Sequence, residues 1–153
     1  TFGTGGIAGR SVAAAAVVSE CYNTGNIRSA AEATGGVVGY MNADGSTLTN
    51  SYSTGNITVK KIKREKALTK AWAGGVAGIV GSKGVIVSNC YSAGAIKDAD
   101  VSGGVIGRFI ADERDLTEEN IQNNFYLSDN ISVGIGDNKG LGGADIQKCA
   151  AGV

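Results

Sequence analysis

The residue types that could act as nucleophiles, general bases or metal ligands are few in this chain. Its 153 residues include three cysteines, Cys21, Cys90 and Cys149, and no histidine. The absence of histidine excludes Ser-His and Cys-His nucleophiles and leaves only lysine-assisted variants of that chemistry. Without histidine or a Cys-x-x-Cys pair, a zinc site is also disfavoured.

Paired carboxylates are the remaining candidates for acid–base chemistry or for calcium binding. Asp98 and Asp100 form one pair, and Asp112, Glu113 and Asp115 form a second group. No part of the chain has the aspartate spacing of a calcium loop, and the first pair has no acidic counterpart at equivalent positions. We interpret these carboxylates as solvated and predict no catalytic residue, no metal and no cofactor. The enzymatic alternative is a carbohydrate-active β-helix enzyme.

Positive charge is concentrated in one segment, which contains a single acidic residue. Its six cations are Lys60, Lys61, Lys63, Arg64, Lys66 and Lys70. Such a run can contact phosphate, a glycosaminoglycan or an acidic protein, so it is the candidate partner-binding loop. The alternative is a solvated loop without a partner.

The charge and hydropathy of the whole chain disfavour two classes of partner. The 14 basic and 14 acidic residues cancel, so no overall field attracts nucleic acid or an anionic membrane. The longest apolar stretch, residues 12–18, is too short to span a bilayer. We predict neither a nucleic-acid partner nor membrane insertion.

Three sequence blocks recur in constant order and predict a repeat architecture. A Gly-Gly-apolar-x-Gly block begins at residues 5, 35, 74 and 103. A block ending in tyrosine follows at residues 20–22, 50–52, 89–91 and 124–126. A block resembling Thr-Gly-Asn-Ile follows at residues 24–27, 54–57, 93–96 and 128–131. The predicted repeats are residues 1–32, 33–72, 73–101 and 102–140, with a C-terminal tail or cap at 141–153.

Each repeat has the pattern strand, turn, strand, corner, strand. In the second repeat, the predicted strands are residues 37–41, 47–53 and 57–59. The glycine content and the β-branched residues disfavour helix everywhere except at residues 116–122. Because three short strands cannot bury an apolar face alone, the repeats must stack on one another. We predict an all-β fold, a right-handed parallel β-solenoid-like stack of about four three-strand repeats; a pseudo-symmetric set of hairpins is the rival.

Stacking in register predicts columns of equivalent residues about 4.8 Å apart. One column is aliphatic and another is glycine; a third, with its face left open, comprises Tyr22, Tyr52, Tyr91 and Tyr126. The slot before each tyrosine comprises Cys21, Ser51, Cys90 and Phe125. Cys21 and Cys90 would then lie about 9.5 Å apart, beyond the roughly 7 Å limit for a disulfide, so both should be unpaired. A column with an outward-facing position is predicted to comprise Arg10, Tyr40, Ile79 and Arg108.

The blocks Gly-Gly-Val-Val-Gly-Tyr and Asn-Ser-Tyr-Ser-Thr-Gly-Asn-Ile together resemble the GLUG motif, a glycine-rich repeat of large bacterial surface proteins. The resemblance covers residues 5–131 and departs in the fourth repeat, where Ser128 and Asp129 replace Thr-Gly. GLUG repeats occur beside the peptidase domains of IgA-cleaving metalloproteases and in adhesin-like proteins. The resemblance implies an extracellular or bacterial cell-surface location and carries over no catalytic residue.

These patterns give one functional expectation and two alternatives. The expectation is a non-catalytic structural or interaction module of a larger secreted or cell-surface bacterial protein, with adhesin-like character. Its expected partners are the neighbouring domains of the parent chain and a host glycan or host protein. The alternatives are the carbohydrate-active enzyme and a glycan-binding adhesin domain in its own right.

Overall fold

The chain folds into stacked parallel β-strands. The computed structural model describes residues 2–60, 70–82, 84–110, 120–129, 131–137 and 150–153. All regular elements in these ranges are strands. Within the same ranges, no helix has the length and apolar character needed to cross a membrane.

The strands follow one another in the same order in every repeat. Repeat 1 contains β1 (Gly3–Gly5), β2 (Ala8–Ser11), β3 (Val17–Ser19), β4 (Tyr22–Asn23) and β5 (Ile27–Ser29). Repeat 2 contains β6 (Ala33–Gly35), β7 (Val38–Met41), β8 (Thr47–Thr49), β9 (Tyr52–Ser53) and β10 (Ile57–Val59). Repeat 3 contains β11 (Trp72–Gly74), β12 (Ala77–Val80), β13 (Ile86–Ser88), β14 (Tyr91–Ser92) and β15 (Ile96–Lys97). Repeat 4 contains β16 (Val101–Gly103), β17 (Ile106–Phe109), β18 (Ile121–Gln122) and β19 (Asn124–Tyr126).

Equivalent strands pair in parallel and in register, which confirms the predicted all-β stack. Sheet 1 contains β1, β6, β11 and β16; sheet 2 contains β2, β7, β12 and β17; sheet 3 contains β3, β8, β13 and β18; sheet 4 contains β4, β9, β14 and β19; and sheet 5 contains β5, β10 and β15. The predicted count of three strands per repeat is wrong, because repeats 1 to 3 each contain five short strands.

Two more strands extend the stack beyond repeat 4. β20 (Ile135–Asp137) pairs with β17 in sheet 2, and β21 (Ala150–Gly152) pairs with β19 in sheet 4. A fifth layer therefore begins within the range assigned by sequence to the fourth repeat and continues in the predicted tail. Residues 138–149 lie outside the described residues.

A left-handed corner explains why the predicted strand at residues 47–53 is two strands. Asn50 has φ 51° and separates β8 from β9. The equivalent residues Glu20, Asn89 and Asn123 also have positive φ, at 55°, 55° and 52°. Asparagine tolerates this conformation better than most residues because its short polar side chain bonds locally. The side-chain amides join the repeats, since Asn89 donates to Asn50 at 3.2 Å and Asn123 donates to Asn89 at 3.3 Å.

The glycine column allows sheets 1 and 2 to approach each other closely. A Cβ placed on Gly39 would lie 2.5 Å from the carbonyl oxygen of Gly9 and 2.5 Å from the amide nitrogen of Thr4. Both atoms belong to the backbone and cannot rotate away, so any larger side chain would separate the sheets. The glycines of the repeated blocks are therefore architectural.

Two apolar clusters form the core. The larger one contains Met41, Leu48 and Phe109, all fully buried, and extends through repeats 2 to 4. The smaller one lies under sheet 5 and contains Ile27, Ile57 and Val59 together with Ala73. Repeat 1 is less enclosed: Ile7 is 48% exposed, whereas its equivalents Val37, Val76 and Val105 are completely buried. The end of the stack at repeat 1 thus leaves part of the core open.

The register corrects two predicted columns in repeat 4. Tyr91 pairs with Phe125, while Tyr126 pairs with Ser92 and is buried. The aromatic column therefore ends in Phe125, and Asn124 occupies the position equivalent to Cys90. Alignment on tyrosine alone shifted repeat 4 by one residue, because the left-handed corner residue is Asn123.

The prediction of an outward-facing column is correct for Arg10, which is exposed, and wrong for Ile79, which is only 2% exposed. It lies between Tyr40 and Arg108 in sheet 2, and the Arg108 guanidinium lies over the ring of Trp72 from sheet 1 at 4.6 Å. Neighbouring side chains therefore cover this position. The helix considered at residues 116–122 is replaced at its C-terminal end by β18, and residues 116–119 lie outside the described residues.

Candidate functional site

The basic segment begins at the end of a strand of sheet 5 and ends before a strand of sheet 1. Lys60 directly follows β10, and Lys70 lies two positions before the first residue of β11; both are exposed. The Lys60 amide donates to the carbonyl of Ser29 at 2.6 Å, which ties the start of the segment to repeat 1. Lys61, Lys63, Arg64 and Lys66 lie outside the described residues.

Sheet 5 adds two cations that the sequence analysis did not include. Thr58 of the central strand β10 pairs with Arg28 of β5 on one side and with Lys97 of β15 on the other. Their neighbours Ile27 and Ile57 are buried, so the alternation of the strand directs Arg28 outward. Alignment of the residue after each isoleucine of the third block would have placed these three residues in one column.

A cleft of about 510 Å³ lies beside this column. The residues that line it include Arg28, Thr58, Lys60 and Asp98. Asp98 has φ 64° and leaves the strand direction immediately after β15, whereas the chain continues through Ser29 and Val59 at the equivalent positions of repeats 1 and 2. The left-handed turn at Asp98 accompanies the local end of sheet 5.

The cleft is lined by two cationic side chains, Arg28 and Lys60, and by one carboxylate, Asp98, and Lys97 lies beside it as the strand partner of Thr58. Arg28, Lys60 and Lys97 are exposed, and none of the three has an ion-pair partner in the part of the chain that the structure describes. Arg28 and Lys97 belong to strands two places apart, which corresponds to about 9.5 Å along the stack. The cleft therefore presents spaced positive charges beside a hydroxyl and an acid.

The two carboxylates of the first candidate pair have different environments. Asp98 lines the cleft, while Asp100 accepts a hydrogen bond from the Ala71 amide at 2.9 Å. This bond joins the ends of repeats 2 and 3 and gives Asp100 a structural role. Asp112, Glu113 and Asp115 lie outside the described residues. Among the described residues, no group of three or more histidine, cysteine or acidic side chains could hold a metal ion.

The cysteine column is structural where the structure describes it. Cys21 and Cys90 are both free, as predicted, and Ser51 lies between them along the stack. Ser51 accepts a bond from the Cys21 amide at 3.1 Å and donates to the Thr49 carbonyl at 2.7 Å. Burial raises the pKa of the Cys90 thiol to about 11, so this group is a poor nucleophile at neutral pH. Cys149 lies outside the described residues.

The aromatic column lies on the outer face of sheet 4. Tyr52 stacks on Tyr22 and Tyr91, with ring centroids 5.3 Å and 4.8 Å apart and interplanar angles of 10° and 7°. Tyr22, Tyr91 and Phe125 are between 43% and 60% exposed. Because both faces of the Tyr52 ring are covered by its neighbours, a sugar ring has no free face to stack on at this position. The stacked rings instead strengthen the pairing between repeats.

Comparison of the chain with protein-family models, curated proteins and solved structures gave no significant match. The resemblance to the GLUG motif therefore stays a prediction from the repeat blocks. Among the described residues, the cleft beside sheet 5 brings Lys60 of the predicted partner-binding set together with Arg28, a second cation without an ion-pair partner there.

Proposed function

We propose that this chain is a non-catalytic structural and interaction module of a larger bacterial surface or secreted protein, and that it spaces or displays neighbouring domains. One observation carries the proposal: equivalent side chains of successive repeats bond and pack to one another along the stack. Asn50, Asn89 and Asn123 form one such ladder, and the stacked rings of Tyr22, Tyr52 and Tyr91 form another.

The open end of the stack supports a role within a longer assembly. At repeat 1, β1 to β5 all lie at the edges of their sheets. Ile7 exposes apolar surface that its equivalents in later repeats bury. A neighbouring β-layer would pair with these edges and cover this surface, as each repeat does for the next.

Two measurements test the proposal: the location of the protein on the cell and its catalytic activity on polysaccharides. An antibody raised against this chain is applied to intact and to permeabilised cells of the bacterium that encodes it. Release of reducing ends is measured with the purified chain on a panel of acidic polysaccharides. We expect labelling of intact cells and no release of reducing ends. Labelling that requires permeabilisation, or saturable release that tracks the purified chain, would overturn the proposal.

A second candidate function is a glycan-binding domain in its own right. The observation that favours it is the cleft beside sheet 5, where Arg28 and Lys60 lack ion-pair partners among the described residues. In this case binding resides in the chain itself, and the neighbouring domains are not needed for it.

A further inference from the structure

We infer that the cleft beside sheet 5 binds a segment of an acidic polysaccharide, with its carboxylate or sulfate groups on Arg28, Lys60 and Lys97. The inference rests on the interaction role proposed above and assigns to it a site and a class of ligand. It adds Arg28, Thr58, Lys97 and Asp98 to Lys60, the one cation of the sequence-predicted set that the structure describes at the cleft.

Three cations in or beside the cleft are available to a ligand. Arg28 and Lys60 line it, and Lys97 lies beside it because it pairs with Thr58, which is also a lining residue. Arg28 and Lys97 extend from the exposed side of sheet 5, and Lys60 lies at the end of the central strand between them. An arginine side chain binds a planar carboxylate or a sulfate through two parallel N–H groups, whereas a lysine acts as a point charge. The spacing of about 9.5 Å between the outer strands lets one linear ligand reach both side chains.

The uncharged and acidic groups of the cleft favour a polyhydroxylated ligand. The Thr58 hydroxyl can donate and accept hydrogen bonds, and the Asp98 carboxylate can accept them from sugar hydroxyls. A carboxylate at this place repels a ligand that carries only negative charge, such as a polyphosphate. An acidic polysaccharide offers both kinds of group along one chain.

Two other polyanions fit the cleft less well. Recognition of single-stranded nucleic acid depends on aromatic rings that stack on the bases, and the described residues that line the cleft include no aromatic ring. An acidic peptide such as polyglutamate would match the charges but carries no hydroxyl groups, so only its backbone N–H groups could bond to Asp98. A peptide and a nucleic acid of these kinds are therefore included as probes in the binding experiment.

The experiment measures binding of the full chain to four immobilised probes at several salt concentrations. The probes are heparin, hyaluronan, polyglutamate and a single-stranded oligonucleotide. We expect heparin or hyaluronan to bind, with an affinity that falls as salt rises. We also expect polyglutamate and the oligonucleotide to bind at least about tenfold more weakly, a difference of about 1.4 kcal/mol. No binding to either polysaccharide, or equal binding of polyglutamate or the oligonucleotide, would overturn the inference.

Matched substitutions locate the site. Arg28→Gln and Lys97→Gln should each weaken polysaccharide binding by about tenfold, the value of one charge-assisted hydrogen bond in a partly hydrated site. Arg10→Gln removes the same charge from an exposed arginine of repeat 1 in sheet 2 and should leave affinity unchanged. Circular dichroism and the urea midpoint verify that the variants fold. Equal effects of Arg28→Gln and Arg10→Gln would show that only overall charge matters and would overturn the site.

Loss of the polysaccharide site and failure of the proposed function give different experimental results. Intact-cell labelling without reducing-end release, combined with no polysaccharide binding, removes this site and leaves the surface module. Conversely, reducing-end release removes the non-catalytic role whatever the binding assay shows.

Discussion

The Cys90 thiol shows how the stack controls the chemistry of a single residue. It is 1% exposed and donates to the Ser88 carbonyl at 3.2 Å, and burial raises its pKa from 9.0 to about 11. Its equivalents are Ser51 in repeat 2 and Asn124 in repeat 4, each of which also bonds to the backbone. The position therefore selects a side chain that can donate to a backbone carbonyl of sheet 3, which is Thr49, Ser88 or Val87 in the three repeats.

This pKa shift predicts how the stability of the protein varies with pH. Between pH 9.0 and about 11, the unfolded chain loses the Cys90 proton while the folded chain keeps it. The stabilising contribution is thus fully present below pH 9.0 and is lost as pH rises to about 11. Across this window the wild-type chain should lose about 2 kcal/mol more unfolding free energy than Cys90→Ser. Urea unfolding of both proteins at each pH measures the difference.

The comparison isolates Cys90 from the other groups that titrate at high pH. Lysines, tyrosines, Cys21 and Cys149 are present in both proteins, so their contributions cancel. Cys90→Ser resembles the serine that repeat 2 has at the same position. Parallel pH profiles for the two proteins would show that the thiol is not buried as described.

At the scale of strands and corners, the glycines set the distance between repeats. Gly25, Gly55 and Gly94 occupy the same corner of repeats 1, 2 and 3. A Cβ on Gly55 would overlap the carbonyl oxygen of Gly25, and one on Gly94 would overlap that of Gly55. A Cβ on Gly25 would meet only the Asn23 side chain, at 3.5 Å. The requirement for glycine at this corner therefore comes from the preceding repeat.

These contacts predict different effects for the same substitution in two repeats. Gly55→Ala should lower the free energy of unfolding by about 1 to 3 kcal/mol, because the methyl group meets backbone that cannot move independently. Gly25→Ala should be neutral or stabilise the protein by up to about 1 kcal/mol, because alanine restricts the unfolded chain. Chemical denaturation of both variants measures the contrast. If both substitutions lowered the free energy of unfolding equally, the corner would need glycine for its own backbone conformation and not because of the preceding repeat.

At the scale of the whole molecule, each repeat is held mainly by its neighbours. A linear stack of this kind has a stability that is the sum of repeat and interface contributions, so its ends open more readily than its middle. Repeat 1 has one neighbour and an incompletely buried core, as the exposure of Ile7 shows. Repeat 3 is enclosed on both sides.

Amide hydrogen exchange should report this gradient. Ile7, Val37 and Val76 each donate an equivalent backbone bond to the next repeat, at 3.0, 2.9 and 2.9 Å. Because these three hydrogen bonds have nearly the same length, differences in the exchange rates of their amides report how readily each repeat opens. The Ile7 amide should exchange at least about tenfold faster than the Val76 amide. Equal protection of the three amides would show that the described stack opens as one unit.

The sequence by itself determined the repeat, the β character and the parallel stacking in register. Glycine density and recurring blocks were sufficient because a short β unit cannot bury its apolar face without its neighbours. The same logic predicted that Cys21 and Cys90 would be free. The hand of the solenoid, the surface location and the GLUG resemblance stay predictions.

Only the tertiary structure decided the number of strands, the register of repeat 4 and the surroundings of the basic segment. Asn50 ends one strand and begins another through its backbone conformation, which apolar and polar patterning does not encode. Phe125 replaced Tyr126 in the aromatic column because the partner strand fixes the register and a one-residue shift reverses the face of every side chain. Arg28 and Lys97 are 69 positions apart in the sequence, and pairing of both their strands with β10 places them on either side of Thr58, two positions before Lys60.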